Sequence, residues 1–234
     1  MLEEYAGTFA YWGSVSMIPF FLCPLMACWT IIKWGFADFF EPIVFIDGLV
    51  RSLLFYQYAK LLEWQDMTQS NLLGVVLSVI YTSVYFHYLS NKMKFYKSMA
   101  KWASFTVLVL LYANWVSKEL ASVHIEYIIA VYNLLSMIYP FQGVKLVYKN
   151  KCTFGIPYPV VFAGQIVCTF WLLFAISVHN YLLMVQLAIS FVLGAIQIVF
   201  FFVYPSHPTF VSAHPPTQSH PDTDSADCSS KKTT

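Results

Sequence analysis

The chain has 234 residues, of which 59% are hydrophobic and only 11% are charged, and its formal net charge is +1 at pH 7. Soluble globular domains usually carry about 25% charged residues, so this composition excludes an ordinary soluble domain. The mean hydropathy of +0.62 agrees, and we expect no nucleic-acid partner.

Long apolar segments follow one another from the N-terminus. A membrane-spanning helix needs about 20 predominantly apolar residues, and seven segments meet that requirement, joined by short loops. The predicted spans cover residues 8–31, 42–62, 68–89, 98–117, 125–148, 156–177 and 181–204. The predicted fold class is therefore an all-α polytopic membrane protein with seven transmembrane helices, for which the lipid bilayer is the first partner.

Lysines on alternate loops indicate the orientation, because positive charge collects on the cytosolic side. With the N-terminus outside, ten lysines face the cytosol and only Lys60 and Lys118 face outward. The ten are Lys33, Lys92, Lys94, Lys97, Lys101, Lys145, Lys149, Lys151, Lys231 and Lys232. The start, MLEEYAGTF, has no basic stretch, so no cleaved signal peptide is expected. We predict an outside or lumenal N-terminus and a cytosolic C-terminus in the plasma membrane, with the Golgi or another endomembrane as alternatives.

The composition changes abruptly after Tyr204, where Pro, Ser, Thr and His become frequent. Residues 206–234 cannot bury enough apolar surface to fold and are predicted to be a disordered cytosolic tail. Cysteines and histidines show no zinc-binding spacing, and the cysteines do not form an even set in outward loops. The five cysteines are Cys23, Cys28, Cys152, Cys168 and Cys228. We therefore expect no disulfide framework, metal site or cofactor.

A repeat is hidden in the spans. Sliding the chain by 116 residues places Pro24 on Pro140, Lys33 on Lys149 and Phe55 on Trp171. An offset of four spans restores the same membrane direction, so the first three and last three spans are predicted to be parallel repeats, a pattern typical of transporters. The predicted organisation is 3-1-3, with two parallel three-helix bundles and substrate held between them. Its units are residues 1–91, a linker helix in 92–120, residues 121–205 and the tail.

Two charged residues lie inside the second predicted span. Asp47 and Arg51 are spaced i, i+4, so their side chains can meet on one helix face. Each would cost about 2.5–3.5 kcal/mol unpaired at the centre of a spanning helix. We predict an intramembrane ion pair that faces the bundle, and we favour a structural role over proton coupling or gating.

Four prolines lie near the cytosolic ends of predicted spans. Proline removes a helical hydrogen bond, so Pro24, Pro42, Pro140 and Pro157 are predicted hinges that let the inner halves of four helices swing. The alternative is that the prolines simply end helices beside loops, which suits Pro42 and Pro157 better than the other two.

The chain resembles the SWEET/saliva family of sugar transporters along almost all of residues 13–205. The elements that carry the resemblance are a P-x8-K pattern ending span 1, Pro42, FYQ at 55–57, QSNLLGVVLSVIYTSVYFHY, YPFQGVKLVYKNKCTFGIP, Trp171 and LGAIQIVFFFVYP. Their order and spacing, rather than any single motif, make the match specific.

The resemblance implies a uniporter that moves mono- or disaccharides such as glucose by alternating access. It also implies a pocket built from an Asn on span 3, a Trp on span 6 and an Asn on span 7. Asn71 and Trp171 match the first two positions, whereas the third falls on Leu187, with Gln186 adjacent. A small polar position on span 2 similarly falls on Leu53.

Three further residues follow from the same resemblance. Phe55 aligns with an aromatic of the pocket. The outer-gate tyrosine matches Tyr56, and its aspartate partner is Asn180 in this chain. Independently of the family, an amide at membrane depth such as Asn71 must bond either a helix neighbour or a ligand, and the flat face of Trp171 suits the C–H surface of a sugar.

Other functions stay open at this point. Leu53 and Leu187 make the pocket more apolar, which leaves carriage of another small solute such as an amino acid, or a non-transporting scaffold or chaperone. A seven-helix receptor is disfavoured by the repeat and by the HYLSNK and VYPSHP endings of spans 3 and 7. No enzyme is expected, because His87 has no obvious catalytic partner, and assembly into homo-oligomers is left open.

Overall fold

The computed structural model of the chain describes residues 2–150, 153 and 158–204, and these residues are organised as helices joined by short connections. A single 3-10 turn, Glu3–Tyr5, comes first. The α-helices are α1 (Ala6–Trp34), α2 (Ile43–Leu61), α3 (Gln65–Tyr88), α4 (Lys92–Trp115), α5 (Lys118–Ser136), α6 (Ile138–Asn150), α7 (Tyr158–Ser177) and α8 (Tyr181–Val203). The all-α fold class is confirmed.

Five membrane spans within the described residues are long and apolar enough by length and composition alone: α1, α3, α5 with α6, α7 and α8. Helix α2 falls short because Asp47, Arg51 and Lys60 lie within its 19 residues. Helix α4 begins with the lysine-rich sequence KMKFYK. Helix α2 is covered by α3, α4 and α5, whereas α4 contacts α2 and α5 and leaves most of its residues exposed. The predicted seven-helix arrangement holds, with α2 protected by protein contacts and α4 exposing apolar residues such as Leu108 and Leu111.

The fifth predicted span differs most from the structure. We predicted residues 125–148, but the helix begins at Lys118 and is interrupted at Met137, between α5 and α6. Its first turns are polar, so hydropathy alone did not include them. The interruption has a simple cause: Pro140 has no amide hydrogen to donate to the Ser136 carbonyl four residues earlier.

The helices form two three-helix bundles with the same internal order. Helix α3 packs against both α1 and α2, and α8 packs against α7, α5 and α6. The bundles meet where α1 lies against α7 and α2 lies against α5, and α4 bridges α2 and α5 at the side. In each bundle the last helix in sequence is thus the central one.

Side-chain contacts identify which loops share an end of the molecule. At one end, Ser90 donates to Asp38 through its hydroxyl at 2.6 Å, and Lys94 pairs with Glu41 at 2.8 Å. These contacts join the connection after α1 to the connection after α3 and to the first turn of α4.

At the opposite end, His179 pairs with Glu3 at 2.7 Å and Lys118 pairs with Glu63. The hydrogen bond and charge of Lys118 hold the pKa of the Glu63 carboxyl below its usual range. The N-terminal segment therefore lies at the same end as the connections after α2, α4 and α7.

Candidate functional site

A cavity of about 590 Å³ lies between the two bundles. Helices α1, α2 and α3 form one side, and α5, α6, α7 and α8 form the other. Its walls are mainly apolar, with a few amide, hydroxyl and charged side chains. This combination is typical of ligand pockets, which fix orientation with a small number of polar groups.

The structure brings most of the predicted substrate-binding residues, and the predicted ion pair, to this one cavity. Those that line it are Asp47, Arg51, Phe55, Asn71, Trp171, Gln186 and Leu187. Leu53 does not line it, and the adjacent Ser52 does, because one residue turns a helix by about 100°. Ser52 packs closely against Gly74 of α3, where a β-carbon would lie 2.7 Å from the Ser52 hydroxyl oxygen.

Asn71 is almost fully buried, with 2% of its surface exposed. Its amide nitrogen donates to the carbonyl of Met67, one turn earlier in α3, at 2.8 Å. No donor among the described residues bonds its Oδ1 atom. Asn71 is therefore held by its own helix and presents an acceptor at the cavity wall.

Trp171 is positioned by packing from two sides. Its indole lies against Gly13 of α1, where a β-carbon would come within 3.0 Å of Cε2. Phe174 meets the ring edge-on, with 5.4 Å between ring centroids. These contacts hold Trp171, which is 5% exposed, in the cavity wall.

Asp47 and Arg51 form the predicted contact on α2, with 3.2 Å between Oδ2 and Nη2. Arg51 also donates through Nη1 to Oδ1 of Asn133 on α5 at 2.7 Å. Tyr132 and Ser136, both on α5, donate their hydroxyls to Oδ1 of Asp47. The Asp47 carboxylate thus accepts from three donors, as a charge at membrane depth requires.

The hydrogen bonds continue beyond the ion pair. The amide nitrogen of Asn133 donates to Oε1 of Gln186 on α8 at 2.7 Å. We call Asp47, Arg51, Asn133 and Gln186 the polar chain; it runs from α2 of the first bundle to α5 and α8 of the second. Sequence reasoning missed Asn133, although the 116-residue offset pairs it with Met17, which also lines the cavity.

The structure gives Asn180, the predicted gate partner of Tyr56, a different contact. Asn180 donates to the hydroxyl of Tyr58, not Tyr56, at 2.9 Å. The two tyrosines are two residues apart, about 200° around the helix, and it is the buried Tyr58 that faces the second bundle. Asn180 also caps α8 by accepting from the Leu183 amide at 2.9 Å.

The prolines occupy different settings. Pro24 lies inside α1, as does Pro19. Pro42 precedes α2 at its N-cap, so it starts the helix rather than bending it, which fits the fixed φ of proline. Pro140 follows the interruption between α5 and α6, and Pro157 lies outside the described residues.

No group of three or more His, Cys, Asp or Glu side chains among the described residues is placed to hold a metal ion.

Known proteins that are similar to this chain in sequence or in fold are described as sugar or SWEET transporters. The family whose profile matches is described as "sugar efflux transporter for intercellular exchange", and it matches twice, at residues 7–93 and 123–209. The bidirectional sugar transporter SWEET17 of Arabidopsis thaliana is 23% identical over 199 residues, covering 82% of each chain.

Two further matches are similar in extent. The sugar transporter SWEET1 of Drosophila pseudoobscura pseudoobscura is 23% identical over 194 residues, covering 82% of this chain and 86% of its own length. Among solved structures, a eukaryotic SWEET transporter matches with a TM-score of 0.74 and 14% identity, covering 86% of this chain and 97% of that one.

Proposed function

The chain belongs to the MtN3/SWEET family of sugar efflux transporters, and from that premise we propose that its central cavity carries mono- or disaccharides such as glucose across the membrane. Transport would be facilitative, with the two bundles alternately opening the cavity to either side. The observation that carries the proposal is the cavity of about 590 Å³ at the interface of two repeated bundles.

The cavity wall offers two surfaces that match a sugar. Sugars have C–H faces and a rim of hydroxyls. Trp171 and Phe55 supply aromatic surface, while Asn71, whose amide nitrogen bonds Met67, supplies its Oδ1 as an acceptor for a sugar hydroxyl. Leu187, which lines the wall beside Gln186, adds apolar surface in place of an amide.

Alternating access requires two units that move against each other. The family profile matches residues 7–93 and 123–209 separately, which supports units at residues 1–91 and 121–205, with the linker helix in 92–120. The bond between Tyr58 and Asn180 joins α2 to α8 across the outer end, so outward opening has to break it. Bending of α1 at Pro24 and of the α5–α6 helix before Pro140 would accompany that movement.

The orientation follows from charge. The end that contains the N-terminal segment carries Lys60 and Lys118, and the other end carries the lysine-rich start of α4. The positive-inside rule then supports an outside or lumenal N-terminus and a cytosolic C-terminus. We place the protein in the plasma membrane, with no catalytic role.

The decisive experiment is tracer uptake by the purified protein in proteoliposomes. The panel contains glucose, sucrose and a set of non-sugar solutes that includes amino acids. We expect saturable sugar uptake that falls about tenfold or more in Asn71→Leu and Trp171→Ala, since each removes a wall contact. Trp29→Ala is the matched control, because Trp29 is 70% exposed on the outside of α1.

Either of two results would contradict the proposed sugar transport. Uptake of an amino acid without uptake of any sugar would assign a different solute to the cavity. A correctly folded protein that transports nothing in the panel would point to a scaffold or chaperone role.

A further inference from the structure

The cavity wall has an uneven distribution of free hydrogen-bonding groups. On the first bundle, Asn71 has committed its amide nitrogen to Met67 and offers an acceptor. On the second bundle, Gln186 has committed its acceptor, because Oε1 receives the bond from Asn133. Its amide nitrogen has no acceptor among the described residues.

The Gln186 nitrogen is also open to the cavity. Gln186 is 4% exposed and lines the wall. Of the buried side-chain N and O atoms in the described residues, only Ser14 Oγ lacks both a partner and access to solvent. A free amide nitrogen in a residue this deeply buried is costly unless a ligand or water bonds it. Its access therefore has to be through the cavity.

Arg51 adds further donors beside Gln186. A guanidinium carries five N–H donors, and the described residues use one on Nη1 and one on Nη2. Its side chain is 35% exposed, and it lines the same cavity. The charge is balanced by Asp47, so this wall offers donors without a net charge.

Asn133 holds the two donor groups together. Its Oδ1 accepts from Arg51 at 2.7 Å, and its Nδ2 donates to Gln186 at 2.7 Å. With 8% of its surface exposed, it spans the gap between α2 and α8. Asn133 is a positioning residue that fixes where the donors of its neighbours lie.

We propose that Arg51 and Gln186, oriented by Asn133, form a donor shelf that binds the hydroxyl oxygens of the transported sugar. The shelf supplies the hydrogen bonds that the side chain of Leu187, the repeat counterpart of Asn71, cannot make. Opposite the shelf, Asn71 Oδ1 accepts from a hydroxyl of the same sugar. This inference rests on the proposed sugar transport and specifies which residues decide selectivity among sugars.

The test compares glucose with the series of monodeoxyglucoses, each lacking one hydroxyl, in wild type and Gln186→Met. Methionine keeps the length of the side chain and removes the amide. We expect the KM for glucose to rise about tenfold with Vmax nearly unchanged, since one hydrogen bond to substrate is lost. For the deoxyglucose that lacks the bonded hydroxyl, wild type and variant will have the same KM.

Gln69→Met is the matched control. Gln69 lies on α3, is exposed and is not among the residues that line the cavity. Its substitution is expected to change the KM for glucose and for every deoxyglucose less than twofold.

Two further variants separate a sugar contact from a structural role. Gln186→Glu keeps the acceptor for Asn133, loses the donors and adds a negative charge on the side that Arg51 faces, so it should reproduce the KM defect without loss of the bond to Asn133. Leu187→Asn added to Gln186→Met should recover part of the affinity by restoring an amide one position away. In a double-mutant cycle, the effects of Asn133→Asp and Gln186→Met on the KM should be less than additive, because both disturb the same oriented donor.

The outcomes can be told apart. If the wild-type protein carries no sugar, both the proposed function and the donor shelf are wrong. If wild type carries glucose but Gln186→Met leaves the KM unchanged, or weakens every deoxyglucose equally, the shelf alone is wrong.

Discussion

The indole of Trp171 on α7 lies so close to Gly13 on α1 that a β-carbon at position 13 would sit 3.0 Å from Cε2 and 3.2 Å from Nε1. Gly13→Ala therefore has to push the ring by a few tenths of an ångström. We expect the KM for sugar to rise roughly two- to tenfold, because small displacements of a positioned group are expensive. Gly7→Ala in the same helix is the control, since a β-carbon there meets nothing within 4 Å. Equal transport by the two variants would show that the position of the ring is unimportant.

Arg51 stabilises the protein through Asp47 and Asn133. Arg51→Met leaves the Asp47 carboxylate with only the Tyr132 and Ser136 hydroxyls. Breaking a buried pair costs about 3–5 kcal/mol, but the two side chains are 35% and 31% exposed, so we expect about 1–3 kcal/mol after screening. Thermal unfolding in detergent micelles measures the loss. Lys94→Ala, which breaks the exposed pair with Glu41, should have almost no effect.

The double variant Asp47→Asn with Arg51→Gln tests the role of the ion pair. It keeps hydrogen-bonding groups at both positions and removes both charges. We expect it to recover more than half of the stability that Arg51→Met loses. It should still carry sugar without dependence on pH, but with a raised KM, because glutamine offers fewer donors than the Arg51 guanidinium. If it folds but loses a pH dependence that wild type has, the pair couples transport to protons instead.

Tyr58 accepts a hydrogen bond from Asn180, and we propose that this bond closes the outer end of the cavity. Tyr58→Phe removes that bond with little change in volume, so the outward-open state should become more populated. We measure the rate at which a membrane-impermeant maleimide labels Cys168, a cavity residue, from outside. The other four cysteines are first replaced by alanine. Labelling should rise several-fold in Tyr58→Phe, since one bond of about 1 kcal/mol is lost, and should not change in Tyr56→Phe.

Pro140 interrupts the helix that runs from α5 into α6. Pro140→Ala supplies an amide hydrogen for the Ser136 carbonyl and should make the two helices continuous. We expect thermal stability to increase, by up to about 3 kcal/mol, and uptake to fall several-fold because the bend is lost. Pro159→Ala is the control, since Pro159 lies in the first turn of α7, where proline costs nothing. Undiminished uptake by Pro140→Ala would remove the hinge role.

The sequence predicts the fold well because two strong signals coincide. Apolar segments of spanning length identify the helices, and the 116-residue offset pairs them into bundles. The errors occur where hydropathy is uninformative: the polar first turns of α5 and the interruption at Met137. Helix α2 is recognised as a span from its apolar residues despite three charged ones, two of which, Asp47 and Arg51, pair with each other in the structure.

The site is only partly predictable. Asn71, Trp171 and the Asp47–Arg51 pair stand out because polar or aromatic groups inside a span require an explanation. Ser52 lines the cavity one residue away from the predicted Leu53, and Tyr58 bonds Asn180 two residues away from the predicted Tyr56. Sequence alignment does not determine the rotation of a helix, which decides the face that meets the cavity. The role of Asn133 could not be predicted from the sequence, because its partners Arg51 and Gln186 lie far away in sequence, on α2 and α8.

The polar chain has a consequence for how the protein is made. Asp47 and Arg51 enter the membrane with α2, but their partners Asn133, Tyr132 and Ser136 follow 82 to 89 residues later. At about 5–20 residues per second of synthesis, the pair waits between about 4 and 18 s for those partners. During that time only the two charges can neutralise each other, and α3 has to bring α1 and α2 together. We therefore expect a partly synthesised intermediate in which the face of α2 that bears Asp47 and Arg51 has to be kept from lipid. Either the insertion machinery or α4, once it is synthesised, would cover that face.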